Sequence, residues 1–111
     1  SVMAVPAVNI EIEQGADFTS TFTITNSDGS VFNMSSASAV AKAKKHPTAG
    51  TAYTFSTSIE SSTGKITLQM TDEVTATMEA GRYVYDILLT AAGGDKTRVI
   101  QGMALVTAGI S

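Results

Sequence analysis

The chain has no cysteine and no tryptophan, one histidine and two prolines among its 111 residues. Without cysteine it has no disulfides, no thiolate metal ligands and no cysteine nucleophile. A chain that needs no disulfide suits assembly in a reducing cytoplasm. No apolar run approaches the roughly 20 residues of a membrane-spanning helix, and no basic-then-apolar stretch reads as a signal peptide. Charge is sparse, at 15% of residues, and its balance is acidic, with net charge −3. That argues against a nucleic-acid partner, which would call for clustered Lys and Arg. The hydrophobic share of 43% is that of a folded protein and not of a disordered one. A chain of this length forms one domain.

What remains is strand chemistry. Thr, Ser and Gly are abundant, and Thr-rich alternation bounded by glycine fits a pleated, half-buried surface. Val8 to Glu13 alternates through Val8, Ile10 and Ile12, and Gln14-Gly15-Ala16-Asp17 breaks the run. Phe18 to Thr25 sets Phe18, Phe22 and Ile24 on one face and four threonines on the other, a period of two. Asn26–Ser30 is a turn with Gly29 at positive φ, followed by a short extended piece holding Phe32 and Met34.

Ala37 to Lys45 is rich in alanine, a helix former. Its strict alternation would be scattered around a helix, so it reads as a strand with alanines inward and lysines outward. Strands follow at Thr51–Ile59 and Lys65–Met70. Thr71–Met78 reads as one short helical turn, capped by Thr71, with Val74 and Met78 inward and Gly81 ending it. Tyr83–Thr90 carries apolar residues on both faces, as a central strand does. Thr97–Thr107 closes the chain, with Val99, Met103 and Leu105 on one face and a bulge expected at Gln101-Gly102. Seven strands with turn signals between them predict an all-β, immunoglobulin-like antiparallel sandwich. It forms one domain over 1–111, with an extended N-terminal arm over 1–7 and a tail over 108–111. Met3 reads as a natural start behind an added Ser1 and Val2.

No catalytic constellation is present. His46 sits among Lys44, Lys45 and Pro47 in a loop. A triad would need it oriented by a carboxylate and facing an activated serine, but no G-x-S-x-G elbow is present and the serines fall on solvent faces or in turns. Asp28 and Asp95 resemble fragments of calcium loops, but each turn holds a single acid where a calcium site gathers several oxygens. No enzyme activity, cofactor, metal or small-molecule substrate is therefore expected. Lys42, Lys44, Lys45 and His46 form a cationic run. It reads either as an edge strand guarded by lysine against stray pairing or as a contact for an acidic protein. Tyr83, two residues after an Ala-Gly at the entry of a strand, occupies the place of a tyrosine corner, whose hydroxyl bonds the preceding backbone. Two ordinary core tyrosines, Tyr83 and Tyr85, are the alternative.

One series of short motifs is Ile12-x-x-Gly15-x-x-Phe18-x-x-x-Phe22, Asp28-Gly29, Gly64-Lys-Ile-Thr-Leu68, Thr71-Asp-Glu-Val74, Ala80-Gly81-Arg-Tyr83-Val-Tyr85-Asp86 and Arg98-x-x-x-Gly102. It resembles a family of small phage and prophage virion proteins that includes the N-terminal domain of baseplate upper proteins. The resemblance implies an immunoglobulin-like sandwich serving as a structural or adaptor piece of a virion assembled in the host cytoplasm. Its partners would be other virion proteins or further copies of itself, and no membrane. The baseplate proteins continue into further domains, so a chain of this length is expected to be a head, neck, tail or decoration component. Docking is expected through the apolar arm Val2–Val8, with Val5 and Val8 as contacts, through Lys42, Lys44, Lys45 and His46 and the following loop, and through the tail. An adhesion or carbohydrate-binding module is the alternative, disfavoured by the absence of tryptophan for stacking on sugars.

Overall fold

A computed structural model describes residues 6–109. The expected arm contact Val5, the start at Met3 and the last two residues of the tail lie outside the described residues. Seven strands and one helical turn follow in order: β1 (Ile10–Glu13), β2 (Phe18–Thr23), β3 (Ser38–Lys44), β4 (Tyr53–Glu60), β5 (Lys65–Met70), α1 (Asp72–Thr75), β6 (Gly81–Thr90) and β7 (Lys96–Thr107). The all-β expectation holds, but the expected antiparallel arrangement is corrected at β1, which pairs in parallel with β7. The strands hydrogen-bond in the order β1-β7-β6-β3-β4-β5-β2, forming one mixed sheet in which β1 and β7 run parallel and the other pairs antiparallel.

This order forces curvature. β1 and β2 occupy opposite edges of the sheet, yet only residues 14–17 separate them in sequence. Five residue steps span at most roughly 18 Å, whereas seven flat strands would stretch over roughly 29 Å. The sheet therefore curls until its edges approach, and its shape is nearly that of a barrel. β4 carries the bend. Tyr53–Phe55 pair with β3, while Ser56–Glu60 pair with β5. β4 thereby divides the sheet into a β1-β7-β6-β3 half and a β5-β2 half.

The seam between the edges is closed by hydrogen bonds. Thr75 on α1 is fully buried, and its hydroxyl donates to the Ala16 carbonyl at 2.9 Å and accepts the Gly15 N–H at 3.1 Å. The Gln14 amide donates to the Met78 carbonyl at 2.6 Å, and the Asp72 N–H donates to Asp17 Oδ1 at 2.8 Å. These demands set the orientation of α1. Thr75 and Met78 face inward while Val74 is 37% exposed, which corrects the expected Val74–Met78 pair. Thr71 makes no side-chain cap, because Asp17 reaches across the seam to satisfy one of the free N–H groups at the start of the helix. Gly81 opens β6 and does not end the helix, which stops at Thr75.

Alternation fills the interior. Tyr83, Tyr85, Ile87 and Leu89 from β6, Ala41 and Ala43 from β3, and Ile66, Leu68 and Met70 from β5 are buried. Phe55 joins the halves, with its ring 5.7 Å from Phe18 and 6.3 Å from Tyr85. Such tilted aromatic pairs contribute about 1 kcal/mol each beyond the area they bury.

β7 departs from the expected phase. Ile87 pairs with Ile100 and Leu88 with Arg98, so Val99 is the extra residue of a bulge. Val99 and Ile100 are both buried, and beyond them the inward positions are Ala104 and Val106. Met103 is only half-buried and Leu105 is 39% exposed, contrary to the expected Val99–Met103–Leu105 face. Gly102 has a different duty. A Cβ there would overlap the carbonyl oxygen of Val8, so the glycine admits a neighbouring backbone.

Candidate functional site

The outward side of β3, β6 and β7 is set by the same alternation that fills the core. With Ala41 and Ala43 inward, Val40, Lys42 and Lys44 point out. With Tyr83, Tyr85 and Ile87 inward, Arg82, Val84, Asp86 and Leu88 point out. Register then assembles rows across the three strands. Val40, Leu88 and Arg98 share one row, Lys42, Asp86 and Gln101 the next, and Lys44, Val84 and Met103 the third. Lys42, Lys44, Val84, Asp86, Arg98 and Gln101 of these rows line an open groove of about 590 Å³, which Ala7 and Pro47 also border.

Its charges are unevenly matched. Asp86 accepts from Arg98 Nε at 2.9 Å, with side chains 38% and 50% exposed. An exposed pair of this kind contributes at most about 1 kcal/mol. Asp86 lies directly opposite Lys42 in the sheet but is engaged by Arg98 instead. Among the described residues, neither Lys42 nor Lys44 has a carboxylate partner.

The residues singled out in the sequence are distributed across different surroundings. Lys42 and Lys44 lie in the groove. They stand on an interior strand, since β3 pairs with both β4 and β6, so the reading of a lysine-guarded edge is corrected. Lys45 turns away from the groove, its ammonium 4.7 Å from the centre of the Tyr83 ring, a cation–π contact. His46 is exposed and its Nδ1 is 2.9 Å from Thr48 Oγ1, a loop contact without a carboxylate. Val8 is half-buried against the core. Its N–H donates to the Gln101 carbonyl at 2.9 Å and its own carbonyl accepts the Tyr85 hydroxyl at 2.5 Å. From Pro6 onward the chain is thus stitched to β7, and residues 6–8 do not form a free arm.

Tyr83 donates to the Glu79 carbonyl at 2.8 Å, four residues back, which is the hydrogen bond of a corner tyrosine. Burial raises the pKa of Tyr83 and pushes that of Tyr85 up to about 12, because the phenolate loses hydration. Asp28 is held below its ordinary value, first by the Ser30 hydroxyl and then by the Ser30 N–H, within its own turn. Among the described residues no group of three His, Asp or Glu side chains could hold a metal ion.

Arg98, Asp86, Val84 and Gln101 escaped the sequence reading as site residues. The outward phase of Val84 and Asp86 on β6 was legible, but Arg98 and Gln101 lie on β7, and the register that places all four beside Lys42 joins positions more than forty residues apart.

No protein-family model matches the sequence, and no curated protein is similar to it. Among solved structures the fold is similar to an internalin-like protein of Listeria monocytogenes. The identity is 15%, over 91% of this chain and 27% of that one, with a TM-score of 0.43. The chain therefore spans about a quarter of that protein's length.

Proposed function

We propose that this chain is a non-enzymatic structural or adaptor protein of a bacteriophage particle, an immunoglobulin-like sandwich that works by docking to other particle proteins. The phage setting rests on the sequence resemblance, above all on Gly15-x-x-Phe18-x-x-x-Phe22 and Ala80-Gly81-Arg-Tyr83-Val-Tyr85-Asp86. The sandwich reading is supported by a first strand parallel to the last, by β2 paired with β5, and by β6 entered through a corner tyrosine. It is supported too by the change of partner along β4, from β3 over Tyr53–Phe55 to β5 over Ser56–Glu60. An experimental structure in which the strands close into one continuous barrel would remove that reading.

The observation that carries docking is the outward side of β3, β6 and β7, where Val40, Val84 and Leu105 are 50%, 39% and 39% exposed among charged neighbours. Exposed apolar side chains set among charged ones on one side of the sheet support a contact with a protein partner. The test is to probe density-gradient-purified particles from the source culture with an antibody against the chain. The protein is expected in the particle fraction at a fixed ratio to the major structural protein. If it stays outside the particles and binds immobilised glycans, the adhesion reading replaces this one.

A further inference from the structure

The chain is acidic overall, yet its positive charge is gathered on one side. Lys42, Lys44, Arg82, Lys96 and Arg98 all project outward from β3, β6 and β7, five of the seven Lys and Arg in the sequence. Of the ten Asp and Glu, these three strands carry only Asp86. Glu11 on β1 stands at the rim, opposite Leu105 and near Arg82, so the least compensated cations are Lys42 and Lys44. The Arg98–Asp86 bond uses Nε, and the terminal nitrogens of Arg98 have no carboxylate partner among the described residues.

We infer that this groove is a docking site for a protein segment that carries carboxylates interleaved with apolar side chains. Charge complementarity supplies the first half of the argument. Like-signed cations left unpaired on a protein of opposite net charge attract an acidic partner and steer its approach. The second half is the apolar residues between the cations. Val84, which lines the groove, lies between Lys44 and Met103, and outside the lining Leu88 lies between Val40 and Arg98 on the same side of the sheet. A nucleic acid would want aromatic platforms or a denser basic stripe, and the tyrosines of this half point into the core. The inference goes beyond the proposed function, since it concerns the partner's chemistry and holds whether or not that partner belongs to a particle.

The test uses the intact chain, labelled with nitrogen-15, and three probes: a synthetic peptide alternating glutamate with valine, polyglutamate, and oligodeoxythymidylate. The alternating peptide is expected to shift the amide signals of Val40–Lys44, Val84–Leu88 and Arg98–Met103. Its affinity should fall at least about tenfold in a K42E/K44E double variant, and comparably in about 0.5 M salt. Val84→Ser should weaken the alternating peptide and leave polyglutamate unchanged, which separates the apolar contribution from the electrostatic one. Unchanged melting temperatures establish that these outward substitutions leave the fold intact. The inference is overturned if the alternating peptide causes no shifts, if shifts map to the β2–β5 side, or if K42E/K44E binds as well as the parent. Tighter binding of oligodeoxythymidylate than of the peptide would assign the groove to nucleic acid instead.

Discussion

The two halves that share β4 are built alike inside and differently outside. Each holds a glycine where another segment's carbonyl presses in: Gly102 under Val8 in one, Gly64 under Ile24 in the other. Their outer faces diverge. The β2–β5 half presents Thr19, Thr21, Thr23, Thr67 and Gln69, with Thr21 and Thr67 hydroxyls 2.9 Å apart. The β3–β6–β7 half presents lysines, arginines and exposed valines. Folding demands set the interior of both halves, so the outward residues were free to differ. Recognition should follow that difference.

Gly102→Ala tests the shared interior hardest. The new methyl overlaps the Val8 carbonyl, so residues 6–9 must lift off β7, losing the Val8–Gln101 and Tyr85–Val8 hydrogen bonds. We expect a loss of about 3 kcal/mol or more in urea unfolding. Gly64→Ala should cost less, about 2 kcal/mol, from its φ of +69° and a Cβ 2.8 Å from the Ile24 oxygen. Gly93, where an added methyl would find nothing within 4 Å, should accept alanine without effect. Equal behaviour of all three would end the comparison.

Thr75→Val probes the seam that joins the halves. It removes the buried hydroxyl that joins the Gly15 N–H and the Ala16 carbonyl in part-buried hydrogen bonds, and about 1 to 2 kcal/mol should be lost, with Thr75→Ser much milder. Tyr83→Phe, which removes only the bond to Glu79, should cost about 1 kcal/mol.

Alkaline unfolding sharpens the view of the β6 side. Tyr85 ionises near 12 in the fold, against about 10 for an unfolded tyrosine. The folded state therefore holds its proton more tightly. The stability linked to it is complete below pH 10 and drains away as pH rises toward 12. Tyr85→Phe should flatten that loss in a pH series of urea midpoints; an unchanged slope would assign it elsewhere.

The outer faces should matter least to folding. Thr21→Val with Thr67→Val, and Lys42→Glu with Lys44→Glu, should each shift stability by less than about 0.5 kcal/mol per site. Only the lysine pair should alter partner binding. If the threonine pair did so, the two faces would have exchanged roles.

Strand identity was written locally. Lys65–Met70 coincides with β5 as read, and the alanine–lysine alternation of β3 outweighed alanine's helical preference because alternating burial needs a period of two. The miscounts arose wherever a distant partner intervened. The Val99 bulge inverted the expected phase of Met103 and Leu105, since one unpaired residue swaps the two faces. Thr75 replaced Val74 inside because its hydroxyl answers backbone groups of residues 15 and 16 across the seam. The site was legible only in part. Lys42 and Lys44 stood out as cations, but their companions Asp86 and Arg98 arrive through register.

By itself, then, the sequence determined an all-β chain, its turns, and which side chains of β3, β5 and β6 face inward, because these depend on neighbours two residues away. Tertiary structure alone decided that β3 is an interior strand, that Val8 lies on Gly102, and that five cations share a face. Those facts depend on which strands pair. Pairing is settled by curling the whole sheet around one core, and no local pattern encodes it.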